Sequence, residues 1–139
     1  MLIAAVIAGA GCSHGFPGTP NSTIQVNLKN ATYTQLANLS AFLADNPVIN
    51  PNPPDFEPDG TFYSLVSLGD RLYTVEPNHR EIDQISTADG SVNRVMDISE
   101  TYGHIVPTAL AYHNAWYFGN LFEFPIHQGE CRSTWESEE

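Results

Sequence analysis

Apolar residues alternate with polar ones in short runs along most of the chain, and Gly, Pro, Asn and Asp punctuate the runs. In LYTVEPNHREIDQIS, residues 72–86, two such runs flank Pro77-Asn78, which predicts two short antiparallel strands around a turn. The layout recurs. TYTQLANLS (32–40) aligns with SVNRVMDIS (91–99), setting Leu36 on Val95, Asn38 on Asp97, Leu39 on Ile98 and Ser40 on Ser99. The preceding turns match, Asn30-Ala31 with Asp89-Gly90, and so do the strands before them, TIQVNL (23–28) with EIDQIS (81–86). FYSLVSLGDRLYTVEPN (62–78) likewise resembles PTALAYHNAWYFGNL (107–121), pairing Leu65 with Leu110 and Leu72-Tyr73 with Trp116-Tyr117.

Joined end to end, these pieces make a unit of four strands. Repeats of about 45 residues built from four antiparallel strands characterise propeller blades, each of which buries its faces against its neighbours. The pattern therefore predicts an all-β chain of roughly two and a half β-propeller blades. Residues 2–40 end one blade, 41–61 form a Pro-rich inter-blade loop, 62–99 a blade, 104–129 the start of the next, and 130–139 a divergent tail. Ser40 is placed to cap a helical turn over AFLAD before the prolines force an extended path. Too few blades to close a ring, with a tail that abandons alternation, read as a fragment of a longer protein. The aromatics Tyr63, Tyr73, Tyr112, Trp116, Tyr117 and Phe118 fall on strand positions, where packing between blades is expected of them.

Composition narrows the function more than the fold. Five Lys and Arg against sixteen Asp and Glu give a formal charge of −11 over 139 residues, which excludes the clustered cations that DNA, RNA or anionic lipid binding requires. Cations or neutral small molecules suit this surface better. Cys12 and Cys131 stand near opposite ends with no C-x-x-C spacing, so neither a zinc finger nor a thioredoxin motif is present. The opening MLIAAVIAGAGC is too short to span a bilayer and reads either as a buried strand or as part of an export signal. Three N-x-S/T sequons, at Asn21, Asn30 and Asn38, would suit a secreted chain in a glycosylating host, although an Asn- and Thr-rich segment produces them by chance as well. No G-x-S-x-G or phosphate-cradling Gly-rich loop occurs.

Several stretches together resemble the ScyD/ScyE family of β-propeller proteins: LANLSAFLADNPV, FEPDG before an inner strand, LYTVEPNHREIDQIS, and above all GHIVPTALAYHNAWYFGNL followed by EFPI. The likeness runs from about residue 23 to 126. It implies a six-bladed, NHL- or SMP-30-like disc, often exported, and supplies no catalytic set. The chain departs from the family pattern at 45–59, where NPVINPNPPDFEPDG replaces a shorter loop, and again after Gly129.

Propellers bind ligands with the loops around the central channel. Glu57 and Asp59 precede the inner strand of the middle blade, and His104 with Thr108 takes the comparable place in the next. Glu76, Asn78 and His79 follow the second strand of one blade, and Asn120, Glu123 and His127 that of the next. Converging carboxylates and imidazoles there would hold a divalent cation, Ca²⁺ or Mg²⁺ for oxygen ligands and Zn²⁺ for a His-rich set. The plainer account makes Pro77-Asn78 and Asp59-Gly60 turns and the histidines backbone-bonded loop residues. Three functional readings follow. The first is a non-catalytic binding or scaffolding protein working outside the cytoplasm. The second is a metal-dependent lactonase or lyase, in which a channel ion polarises a carbonyl and a Glu or His moves a proton; it needs Glu57, Asp59, Glu76, His79 and His104 to converge. The third is an adhesive surface repeat.

Overall fold

The computed structural model describes residues 2–6, 18–51, 56–102 and 105–121, the first of these by backbone alone. Strands dominate, in three antiparallel sheets that follow one another along the chain. The first orders β1 (Leu2–Val6), β2 (Ser22–Asn27) and β3 (Thr32–Asn38), and α1 (Leu39–Asp45) follows it. The second is a four-stranded meander of β4 (Tyr63–Leu68), β5 (Arg71–Glu76), β6 (Glu81–Ser86) and β7 (Val92–Asp97), followed by α2 (Ile98–Tyr102). The third is the hairpin of β8 (Pro107–Tyr112) and β9 (Trp116–Asn120). The all-β expectation is met, and the strand-turn-strand reading of residues 72–86 coincides with β5 and β6.

Both faces of the second sheet are covered. Leu72 and Ile85, cross-strand partners, pack with Ala37, Leu39, Leu43 and Phe62. Val75 and Ile82, paired on the opposite face, pack with Ile98 of α2 and Leu110 of β8. Each such buried side chain contributes about 1.5–3 kcal/mol of transfer free energy, so these two seams hold the sheets together. Of the strand aromatics, Tyr73 and Trp116 meet at 4.4 Å and Phe118 joins the same seam. Tyr63, Tyr112 and Tyr117 are exposed instead, because β4, β8 and β9 turn one side to solvent.

The β6–β7 turn fixes how closely the sheets approach. Gly90 has φ +74, and a Cβ there would lie 1.8 Å from the Leu36 carbonyl oxygen of β3, so only glycine fits on both counts.

The first two sheets also share irregularities. In the β2–β3 ladder the register skips Leu36, and in β6–β7 it skips Val95, the residues aligned by sequence. The amides of Leu39 and Ser40 donate to the Asn21 carbonyl at 2.8 and 3.3 Å; those of Ile98 and Ser99 donate to the Arg80 carbonyl at 2.8 and 3.2 Å. Two details of the sequence alignment are corrected. Ser22 faces Asn38 and Glu81 faces Asp97, so Ser22, and not Thr23, corresponds to Glu81. Ser22 to Asn38 and Glu81 to Asp97 span the same number of residues, so the two hairpins are equally long, and a slip of one in aligning their first strands exchanges the faces of a strand. The cap of α1 is Asn38, whose Oδ1 accepts from Ala41 N at 3.0 Å, while Ser40 Oγ is engaged by Asn21 N at 2.9 Å. Similarly, ladder pairing sets Leu110 opposite Phe118 and Val66 opposite Tyr73, so Leu110 matches Val66 and not Leu65.

Candidate functional site

Glu76, the last residue of β5, is fully buried, and its carboxylate organises the corner that follows. Oε1 accepts from Thr61 N at 2.5 Å and Oε2 accepts from His79 N. Burial raises the Glu76 pKa, against the opposing pull of His79 and of the Thr61, His79 and Asn78 amides. Arg80 closes the corner at φ +64, a strained angle held by the bonds on either side.

The loop before β4 is clamped to this corner. Glu57 N donates to Asn78 Oδ1 at 2.6 Å, and the Glu57 carbonyl lies 2.8 Å from His79 Nε2. A carbonyl only accepts, so Nε2 carries the hydrogen. His79 is buried and lies against the Phe56 ring at 4.6 Å, and its Nδ1 has no hydrogen-bond partner. Glu57 Oε2 accepts from Thr61 Oγ1 at 2.7 Å. The buried Asn21 amide donates to the carbonyls of Asp59 and Gly60 at 2.6 and 2.9 Å. Gly60, at φ +67, leaves no room for a Cβ, which would stand 2.5 Å from Leu43 Cδ1.

Five of the residues singled out from sequence, Glu57, Asp59, Glu76, Asn78 and His79, are thus brought into one network, together with Asn21 and Thr61. Most of their bonds run to backbone groups, whereas Asp59 Oδ2 and His79 Nδ1 are buried without a hydrogen-bond partner. Asn120 stands at the corresponding end of the third sheet, where its Oδ1 accepts from Val106 N at 2.9 Å. Thr108 is the residue skipped in the β8–β9 register, as Ser64 is in β4–β5. His104, Glu123 and His127 lie outside the described residues. Among the described residues, no three His, Cys, Asp or Glu side chains are placed to share a metal ion.

A second polar cluster, absent from the sequence reading, occupies the face of the sheet that carries Leu72 and Ile85. Across β5, β6 and β7 the ladders align Thr74, Asp83 and Arg94 in one row and Glu76, Glu81 and Asp97 in the next. Glu81 and Asp83 have no exposure. Glu81 Oε2 accepts from Arg94 Nε at 2.5 Å, leaving Glu81 Oε1 and both Asp83 oxygens with no N–H or O–H donor. Two ionised carboxylates can only accept, so one proton between them is needed to make the missing bond. Burial first, then the neighbouring Glu81, drives the Asp83 pKa well above the carboxylic range. Burial raises Glu81 as well, against its bonds to Asp83 and Arg94. The signal in the sequence was Glu81-Ile82-Asp83, which puts two acids on the same side of one strand.

No helix among the described residues is long and apolar enough to cross a membrane. Compared with known proteins, the chain matches no family model, no curated protein and no solved structure.

Proposed function

We propose that the chain contributes consecutive blades to a β-propeller and acts as a non-catalytic binding or scaffolding protein outside the cytoplasm, as its resemblance to the ScyD/ScyE family implies. Support for the propeller comes from the four-strand meander, its burial between a preceding and a following sheet, and the bulge and helix-cap bonds common to the first two sheets. Supporting a binding role, rather than catalysis, is one observation above the others. Glu57, Glu76 and Asn78 direct oxygens at neighbouring N–H and O–H groups, which stiffens a rim and commits those oxygens to holding the loops together. A metal-dependent lactonase or lyase would need those same oxygens for its ion.

Nuclear magnetic resonance of the whole chain against a panel of neutral and cationic small molecules tests this. Shifts confined to the amides of the 56–61 loop, the 77–80 corner and residues 105–108 are expected. Shifts scattered over the sheets would overturn the binding role. One tightly held divalent ion per chain, lost in His79→Ala while the fold persists, would replace it with the metal-enzyme reading.

A further inference from the structure

Residues 46–51, which follow α1, lie across the ends of β6 and β7. Arg94 Nη1 donates to the Pro47 carbonyl at 3.3 Å and Nη2 to that of Asn46; Arg80 Nη2 donates to the Asn50 carbonyl. Ile49 N donates to Asp97 Oδ2 at 2.9 Å, Asn50 N to Ser99 Oγ at 3.2 Å, and Asn50 Nδ2 to the Ser99 carbonyl at 3.2 Å. Val48 is buried in the middle of the segment. This is a strap fastened side chain to backbone, and one of its fasteners reaches inward. The Arg94 guanidinium that holds Asn46 and Pro47 also holds Glu81, next to Asp83.

The charges facing Asp83 are known from each element around it. β5 presents Glu76, β6 Glu81, β7 Arg94 with Asp97 beyond it, the corner His79 and Arg80, and the loop before β4 Glu57 and Asp59. From the other side β2, β3 and α1 offer only Tyr33 and Asp45 as ionisable groups, and both are exposed. Arg94 is therefore the cation bonded to this acid pair, and it is also the half-buried layer between the pair and water.

We infer that a single proton shared by Glu81 and Asp83 keeps the 46–51 strap closed, and that loss of this proton opens it. Without the proton, two buried anions depend on one guanidinium, and three carboxylate oxygens have no donor. Hydration relieves both faults, and Arg94, part-exposed and bonded to both Glu81 and the strap, is the group that would have to move to admit it. The direction with pH follows from the raised Asp83 pKa. Closure is fully favoured below the ordinary carboxyl range and weakens as pH climbs towards the raised folded value. An acid limit exists too. Burial would raise Asp97, but the Ser99 hydroxyl and the Ile49 and Glu100 amides outweigh it and hold its pKa below the ordinary value, so the Ile49 bond weakens below the ordinary value and is lost as pH falls through the lowered folded pKa.

Hydrogen–deuterium exchange at Ile49 and Asn50, corrected for the intrinsic pH dependence, reads the strap directly in the whole chain. Between the two Asp83 pKa values, release of one proton makes opening about tenfold more favourable per pH unit. The wild type should follow that slope, and Asp83→Asn, which needs no proton to stay neutral, should be flat. Should Asp83→Asn not fold, Glu81→Gln supplies an amide donor to Asp83 and removes its charged neighbour, so its slope should be clearly shallower than that of the wild type. A flat wild type, or a variant with the wild-type slope, would overturn the inference. So would an equal slope at Val75 and Ile85, because that would make the event unfolding of the sheet and not release of the strap.

Discussion

The two faces of the second sheet are both covered and chemically unlike. Towards β8 and α2 the seam is Val75, Ile82, Ile98 and Leu110 with Tyr73 and Trp116, whose burial is favourable whatever the pH. Towards β3 and α1, Leu72 and Ile85 give way along the strands to Asp83, Glu81 and Glu76. Burying those carboxyls is unfavourable unless protons, Arg94 and backbone amides answer each of them. One face thus holds the sheet in place regardless of conditions, while the other holds it only in a definite state of charge.

This contrast can be broken at either face. The largest effect is expected from Arg94→Met, which strands Glu81 as an unpaired buried charge and should cost about 3–5 kcal/mol in urea unfolding near neutral pH. Lowering the pH should recover part of that loss, because protonating Glu81 removes the charge. On the other face, Ile98→Ala should cost about 2–5 kcal/mol, with the same value on either side of neutrality. A pH-dependent deficit there would erase the distinction between the faces. Smallest is the helix-cap comparison. Asn38→Ala and Asp97→Ala each remove a first-turn acceptor, worth about 1 kcal/mol in thermal unfolding. Asp97→Ala should cost the more, since it also releases Ile49 of the strap.

Sequence pattern made the strands legible where turn chemistry marked their ends, as at Asp89-Gly90 and Pro77-Asn78. The candidate corner was legible as a cluster of Glu, Asn and His, but not its purpose. Nothing in the spacing of Glu76 and Thr61 announces that one carboxylate satisfies the amides of two loops. The acid pair was missed for a related reason. Alternation in Glu81-Ile82-Asp83 suggests Ile82 inside and the acids outside, an inference that fails for a strand covered on both sides. Ile85 stands on the same face as Asp83, which is the one hint that the polar side is also buried. The one-residue slip between β2 and β6 arose because similarity between short alternating strands does not fix their register, and the alignment inserted a residue before the turn that the ladders do not contain.

The Asn21 amide has a consequence for how the protein is produced. Its sequon is formally complete, yet the side chain is enclosed and both of its amide bonds pin the Asp59-Gly60 turn. In a host that attaches sugars to nascent chains, a glycan at Asn21 would enter the space where residues 59 and 60 must dock. Asn30, exposed on the β2–β3 turn, would carry the same sugar without obstruction. Material from such a host should therefore divide into a folded fraction free of sugar at Asn21 and a modified fraction retained by quality control, and Asn21→Asp would not rescue it, because the carboxylate cannot donate to those two carbonyls.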